Sequence, residues 1–384
     1  MKLRPIVILF VIMGLLFLLK INGFAMSYEQ EYYDMYLNQD TFLDMDENLY
    51  RIQREYNSSC EISFEEIIRC MLNGEIDRAI TIIFQGLYDG MLGEVLLNKE
   101  LMLKILLLVI VAAVFKNYSS ILKNGYVGEQ GFYITYLLLT VILIQAFSVL
   151  YDISEETIHY ITDLMKCMLP ALYLSLTLCA GITTSQVMNS MFLTMLTFLE
   201  SLLLKFVLPG IQIYFFIAIL NPLNKEDRFS KLAALVKQGI GFVLKTIVTL
   251  IFGLNVVKGM LVPVYENARY QVLQKGLSFI PGGAALTGIS SILVGAGMLI
   301  KNSVGVTVAM LLLVFSAIPI LKLFLVYIMY KLMIAMIQPV SDKRILTGIQ
   351  GISDSIGLLL RATYTSVVLS ILSIAIMILT TNYH

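Results

Sequence analysis

Charged side chains inside long apolar stretches are the residues of this sequence with the clearest chemical potential. A charge in the hydrocarbon core of a membrane is costly, and such residues commonly mark ion pathways, proton relays or functional ion pairs. The candidate intramembrane functional charges are Asp163, Lys166, Glu200, Lys205, Lys245, Lys322 and Arg361.

Sequence spacing indicates which of these charges could pair. Asp163 and Lys166 are three residues apart, so one helical turn places them on one face. Glu200 and Lys205 are five apart and project about 140° from each other, so each is expected to meet another helix.

A structural interpretation of the basic residues competes with a functional one. Long basic side chains near the ends of spans extend to the membrane interface without any further role. This alternative applies to Lys258, Lys331 and Arg361 in particular.

Signatures of enzymes are absent from the sequence. It contains no GxxxxGK[ST], HExxH or CxxC motif, and only two histidines, His159 and His384. Intramembrane aspartyl proteolysis needs two facing carboxylates, and Asp163 is the only aspartate that we predict deep within a span. We therefore predict no enzyme, no catalytic or metal-binding residues and no cofactor.

Composition indicates an all-α polytopic membrane protein. Hydrophobic residues make up 58% of the chain and charged residues 14%, against roughly 45–50% and about 25% in soluble domains. The formal net charge is zero, which gives no basis for nucleic-acid binding. We predict a signal peptide, a small exported helical segment and about eight transmembrane helices.

The first 98 residues are predicted to be exported. Residues 1–25 have the basic start, short apolar core and small-residue end of a signal peptide, with cleavage after Ala25 or retention as an anchor. Residues 26–98 form a small helical domain or a partner-docking arm. Cys60 and Cys70 would either pair in an oxidising compartment or remain thiols.

Residues 95–150 are predicted to hold two transmembrane helices, at 95–115 and 132–150. The loop between them is basic, whereas the next loop carries Asp152, Glu155 and Glu156 without Lys or Arg. Positively charged loops favour the cytoplasmic side, so the acidic loop is expected outside.

A candidate internal duplication covers the rest of the chain, with repeat 1 at 160–262 and repeat 2 at 272–380. Ile217–Leu223 resembles Ile334–Val340, and in each copy a charged run and a glycine-containing helix follow. Chance similarity between apolar segments is the alternative. The matched elements are 161–180 with 280–300, 191–220 with 303–337, and 239–262 with 356–380. Equivalent basic positions are Lys205 with Lys322 and Lys245 with Arg361.

Two topologies are compatible with this duplication. If the first element of each copy crosses fully, the copies are inverted and their loops face opposite sides; this is the more ordinary arrangement, and we prefer it. If that element is a re-entrant hairpin, the copies are parallel and both loops lie inside, as the charge rule favours. Pro209-Gly210 and Pro319 are expected to kink the long second elements.

The second copy carries a resemblance to a known family. Its residues are Phe279-Ile280-Pro281-Gly282-Gly283, Leu299-Ile300-Lys301-Asn302-Ser303-Val304-Gly305, Pro319 with Lys322, Tyr330-Lys331-Leu332, and Gln338-Pro339-Val340-Ser341-Asp342-Lys343-Arg344-Ile345. Together they resemble the stage III sporulation protein AE family, as does the overall layout of the chain. This resemblance brings no catalytic residues.

The resemblance implies a permease-like membrane component of a secretion-like channel complex between mother cell and forespore. It places the protein in the mother-cell membrane around the forespore, with the N-terminal segment outside the cytoplasm. Implied partners are other stage III sporulation proteins, namely the ATPase, small membrane components and ring-forming proteins; a homo-oligomer is also compatible. A stand-alone small-solute transporter and a non-conducting scaffold for channel assembly are the alternatives.

Overall fold

The computed structural model describes residues 47–52, 54, 67, 69–70, 78, 81, 125–180, 182–223, 228–277, 283–339 and 341–380. The predicted signal peptide, most of residues 26–98, Cys60 and the 95–115 span lie outside these ranges. Regular structure within the described residues is helical, without a strand. The all-α prediction therefore agrees with the part of the chain that can be compared.

Six α-helices form the described membrane part: α1 Gly125–Ala180, α2 Ile182–Leu202, α3 Leu208–Leu220, α4 Ser230–Leu277, α5 Gly283–Ile337 and α6 Lys343–Thr380. A π-helical turn, Leu203–Val207, joins α2 to α3, and a 3-10 turn, Asn221–Leu223, follows α3. Five segments in these ranges are long and apolar enough to cross a membrane. They are Glu129–Thr177, Ser185–Leu223, Ser230–Gly253, Ile300–Ile337 and Lys343–Ile378.

Helix α1 joins two segments that we predicted to be separate. The predicted loop between 150 and 161 is helical, and 132–150 and 161–180 belong to one helix. No glycine or proline occurs between residues 132 and 169 to end it, and glutamate is a good helix former. The prediction of an acidic loop between residues 150 and 161 is therefore wrong.

Helix α5 also joins two predicted elements. Residues 283–337 form one helix, so 280–300 and 303–337 are not separate crossings. The described parts of 161–180 and 280–300 contain no reversal, which also excludes a re-entrant hairpin there. Chain reversal near residue 181 has no counterpart in α5. The two copies thus share only two consecutive helices, one that leads into a loop and one that follows it. The duplication itself stays a prediction.

The prolines of the second elements have different effects. Pro209 stands at the start of α3, directly after the π-helical turn. A proline has no N–H for the helical ladder, and π-turns commonly absorb such a defect. Pro319 lies inside α5, which is helical throughout. The α-helical pattern is thus interrupted next to Pro209, whereas the kink expected at Pro319 stays a prediction.

The connection from α3 to α4 and the connection from α5 to α6 lie at one end of the bundle, here called the loop end. The Tyr136 hydroxyl of α1 donates to the Ile219 carbonyl oxygen at 2.6 Å, and a Cβ at Gly348 would touch the same tyrosine. The Arg344 guanidinium lies 3.7 Å from the Phe132 ring centre. Our preference for inverted copies with loops at opposite ends is therefore wrong, because the predicted reversal between residues 300 and 303 does not exist and only two helices separate the loops.

Helix α6 is the centre of the bundle and contacts α1, α3, α4 and α5. Most of its small hydroxyl residues are buried, and several donate to a carbonyl one turn earlier: Ser355 to Gly351, Thr363 to Leu359 and Thr365 to Arg361. Small residues let membrane helices approach closely. The small-residue sequence of α6 therefore fits a helix that is packed against neighbours over most of its surface.

Candidate functional site: an ionic cluster inside the bundle

One carboxylate joins three helices inside the bundle. Asp354 on α6 accepts from the Lys237 Nζ of α4 at 2.6 Å and from the Lys331 Nζ of α5 at 3.4 Å. The Asp354 side chain is 16% exposed, whereas Lys237 and Lys331 are 38% and 34% exposed. We call these three residues the ionic cluster.

Two tyrosine rings complete the surroundings of the cluster. The Lys237 Nζ lies 5.8 Å from the centre of the Tyr214 ring, and the Lys331 Nζ lies 5.5 Å from that of Tyr327. An ammonium at this distance from an aromatic ring is attracted by its quadrupole. Two cations around one carboxylate give the cluster a formal charge of +1, so it has the capacity to attract a further anion.

The cluster lies deep within the candidate spans. Asp354 is 11 residues past the start of α6 at Lys343, which corresponds to about 16 Å along the helix. Lys331 stands six residues before the end of α5, and Lys237 seven after the start of α4. Ionisable groups at such depth are costly and are commonly functional.

Short local contacts at the loop end hold the cluster helices in place. The Asp342 Oδ1 accepts from the backbone N–H of Arg344 at 2.9 Å, so Asp342 caps the start of α6. In the first loop, the Asn221 Oδ1 accepts from the backbone N–H of Phe229 at 3.0 Å. Each loop thus uses a side chain to satisfy backbone groups at a helix boundary.

A second group of charges joins α1 to α2. The Glu200 Oε1 lies 3.0 Å from the His159 Nδ1, and the Glu200 Oε2 lies 3.8 Å from the Lys166 Nζ. The Lys166 Nζ is also 3.4 Å from the Asp163 Oδ1. The predicted Asp163–Lys166 pairing is confirmed, as is the expectation that Glu200 meets another helix.

The remaining predicted residues are not in either group. Lys205, Lys245 and Arg361 are exposed, and Lys322 is half-buried. The contacts do not test whether any of the seven predicted charges is functional, so their functional role stays a prediction. The structure does not describe the side chain of Lys258.

Sequence reasoning missed two members of the ionic cluster. We took Asp163 as the only deep aspartate because the last span was predicted to begin at residue 356. Helix α6 begins 13 residues earlier, which brings Asp354 inside. Lys237 was assigned to a loop, although α4 begins at Ser230. The available signal was the capping residue Asp342, followed by apolar residues at helical spacing: Ile345, Leu346, Ile349 and Ile352.

Metal binding finds no support in the described ranges. No group of three or more His, Cys, Asp or Glu side chains there could hold a metal ion. The basic excess of the ionic cluster is also unsuited to a cation.

These features define a polytopic helical membrane protein with ion pairs between its spanning helices. Residues 62–381 match the family described as Stage III sporulation protein AE, and the chain belongs to that family. A curated relative, Stage III sporulation protein AE of Bacillus subtilis (strain 168), is 22% identical over 208 residues. The alignment covers 54% of this chain and 52% of the relative. No solved structure matches the chain.

Family membership indicates a role in sporulation, and the five apolar segments agree with a multi-pass membrane protein. The family resemblance inferred from the second copy is thereby confirmed. Two cluster helices carry residues of that resemblance: Lys331 lies on α5, and Asp342 caps α6.

Proposed function

We propose that this protein is a permease-like membrane component of a channel between mother cell and forespore. The ionic cluster carries the proposal, because one carboxylate and two ammonium groups meet between three helices at membrane depth. A purely lipid-anchoring bundle has no need of such charges. Family membership supplies the sporulation context.

The proposed location is the mother-cell membrane around the forespore, with residues 26–98 outside the cytoplasm. Basic residues near both loops, including Arg228, Lys231, Lys343 and Arg344, support a cytoplasmic loop end. Other stage III sporulation proteins would assemble on it: an ATPase at the cytoplasmic face, and small membrane and ring-forming proteins beside the bundle or outside.

Neutralisation of Asp354 tests the proposal. Asp354→Asn leaves two ammonium groups without a balancing carboxylate, so we expect at least a tenfold loss of heat-resistant spores. Glu156→Gln is the matched control, because Glu156 is an exposed carboxylate outside the cluster. Wild-type spore titres for Asp354→Asn, at normal protein level, would contradict a functional cluster.

Two alternative functions give different results in a second experiment. Replacing Glu200, Lys205 and Lys322 with apolar residues should impair spore development if these charges serve conduction. Unchanged spores with normal assembly would favour the non-conducting scaffold. Co-purification of the protein with an intact assembly would count against a stand-alone transporter of small solutes.

A further inference from the structure

We propose that only the loop-end half of the bundle is embedded in the bilayer. Basic side chains at mid-bundle bind the lipid phosphates of one leaflet, and the other half of the bundle stands outside the membrane. The inference rests on the membrane location alone and does not depend on conduction.

Four basic residues, here called the basic belt, lie at one level on four segments of the bundle. Relative to the ionic cluster, Arg361 is seven residues along α6, Lys245 eight along α4, and Lys322 nine back along α5. Because the cluster residues touch one another, these offsets place all three about 11–14 Å away in the same direction.

Lys205 reaches the same level from the π-helical turn. A Cβ at Gly210 would lie 3.5 Å from the Ile240 side chain, which aligns α3 with the antiparallel α4. Lys205 precedes Gly210 by five residues and Lys245 follows Ile240 by five. The two lysines are therefore level. Lys205, Lys245 and Arg361 are exposed and can reach headgroups.

The distance between the belt and the loop end matches a bilayer. Arg361 lies 18 residues beyond Lys343 on α6, or about 27 Å, whereas a hydrocarbon core is about 30 Å thick. Basic residues thus border both sides of this slab. Asp354, between them, falls near its middle.

Exposed apolar side chains concentrate in the same slab. Among the residues whose side chains the structure describes, which leave out 254–297, 24 large apolar side chains are exposed, and 18 of them lie between the loop end and the belt. The other six are on α2 and on α4 just past Lys245. On α2 they alternate with exposed polar residues: Gln186, Ser190, Thr194 and Thr197. The Ser190 and Thr194 hydroxyls donate to carbonyls of their own helix, so the exposed Gln186 amide is the group that a lipid-facing surface disfavours most.

The half of the bundle beyond the basic belt is too long to lie in the same bilayer as the loop-end half. From Arg361 to Ile378, α6 continues for 17 residues, or about 26 Å, and α1 continues past Asp152 to Thr177. This placement leaves Asp152, Glu155 and the Glu200 group in water, where their charges are inexpensive. It also explains why α1 passes through an acidic stretch without turning.

Spin-label accessibility in nanodiscs tests the placement. Labels are attached to single cysteines in a cysteine-free background, with Ser190, Thr194 and Thr197 as outer positions and Val141, Phe216 and Leu235 as slab positions. We expect outer labels to collide mainly with a water-soluble nickel chelate and slab labels mainly with oxygen. Oxygen-dominated collisions at the outer positions as well would overturn the proposal.

Retention of anionic lipid tests whether lipid phosphates bind the basic belt. Lys205→Gln, Lys245→Gln and Arg361→Gln together should lower retention of phosphatidylglycerol over phosphatidylcholine at least threefold, measured by native mass spectrometry. The control Lys205→Arg, Lys245→Arg and Arg361→Lys keeps the charge and should retain the preference. An unchanged preference in the Gln variant would overturn lipid binding. Displacement of the lipid by millimolar inorganic phosphate would instead identify a free-phosphate site and also overturn it.

Discussion

At the residue scale, Asp354 is the charge that joins three helices of the described bundle. Its carboxylate is mostly buried, and both oxygens accept from lysines on neighbouring helices. Removing one partner from a buried ion pair leaves an uncompensated charge, which costs several kcal/mol, whereas neutralising all partners can cost little. This asymmetry allows a structural role to be separated from a functional one.

A buried tyrosine makes the clearest single hydrogen bond between α1 and α3. Tyr136→Phe removes the bond to the Ile219 carbonyl and should lower the free energy of unfolding by about 1 kcal/mol. Thermal unfolding of the purified protein in detergent measures the loss. Tyr133→Phe is the control, since Tyr133 is only partly buried and packs through its ring; equal melting temperatures for both variants would contradict the assignment.

The Asp342 cap should contribute measurably to the start of α6. Asp342→Ala is expected to destabilise the protein by about 1 kcal/mol, because the Arg344 N–H loses its acceptor. Asp342→Asn retains an acceptor oxygen and should remain close to wild type in the same melting experiment. A loss with Asn as large as with Ala would show that charge, rather than capping, is responsible.

At the element scale, the sequence predicted the apolar helical segments of the described bundle but not where they join. Apolar windows locate 132–150 and 161–180, yet α1 continues through Asp152 and Glu155 without a break in helical propensity. Apolar windows likewise placed the start of α6 too late in the chain, so Asp354 was not recognised as part of a span. The Asp163–Lys166 pair was predictable because spacing within one helix fixes it, whereas contacts between helices depend on packing.

Close packing of α5 on α6 depends on Gly305. A Cβ at this position would overlap the Ile378 side chain, and the nearby Lys301 Nζ donates to the Ile378 carbonyl at 3.0 Å. Gly305→Ala should therefore destabilise the protein by about 1–3 kcal/mol.

A matched glycine and a second-site change make this prediction falsifiable. Gly239→Ala on α4 meets nothing within 4 Å and should be neutral or slightly stabilising. Ile378→Ala should relieve part of the defect of Gly305→Ala. Equal melting temperatures for Gly305→Ala and Gly239→Ala would contradict the packing argument.

At the scale of the whole molecule, α1 to α6 form one bundle. The α3–α4 connection and the α5–α6 connection lie at the same end of it. The arrangement reconciles the charge rule with the spans, since basic residues of both loops then lie on one side. Hydropathy could not establish it, because counting apolar windows as separate crossings inverts the second copy. Contacts of Tyr136 and Phe132 with both loop regions resolve the topology.

Cysteine labelling in intact cells tests the shared end. In a cysteine-free background, Arg228→Cys and Lys343→Cys should both resist a membrane-impermeant maleimide and both react after permeabilisation. The two positions are exposed, so burial does not limit their reaction. Labelling of only one of them in intact cells would place the loops on opposite sides and contradict the bundle.

The ionic cluster as a functional element is the central claim, and its complete neutralisation tests it most directly. The variant Lys237→Gln, Asp354→Asn and Lys331→Gln removes every charge of the cluster while leaving no unpaired ion, so the fold and the assembly should survive. We predict normal co-purification with the other sporulation proteins but at least a tenfold lower titre of heat-resistant spores. A wild-type spore titre from this triple variant would show that the cluster serves only packing.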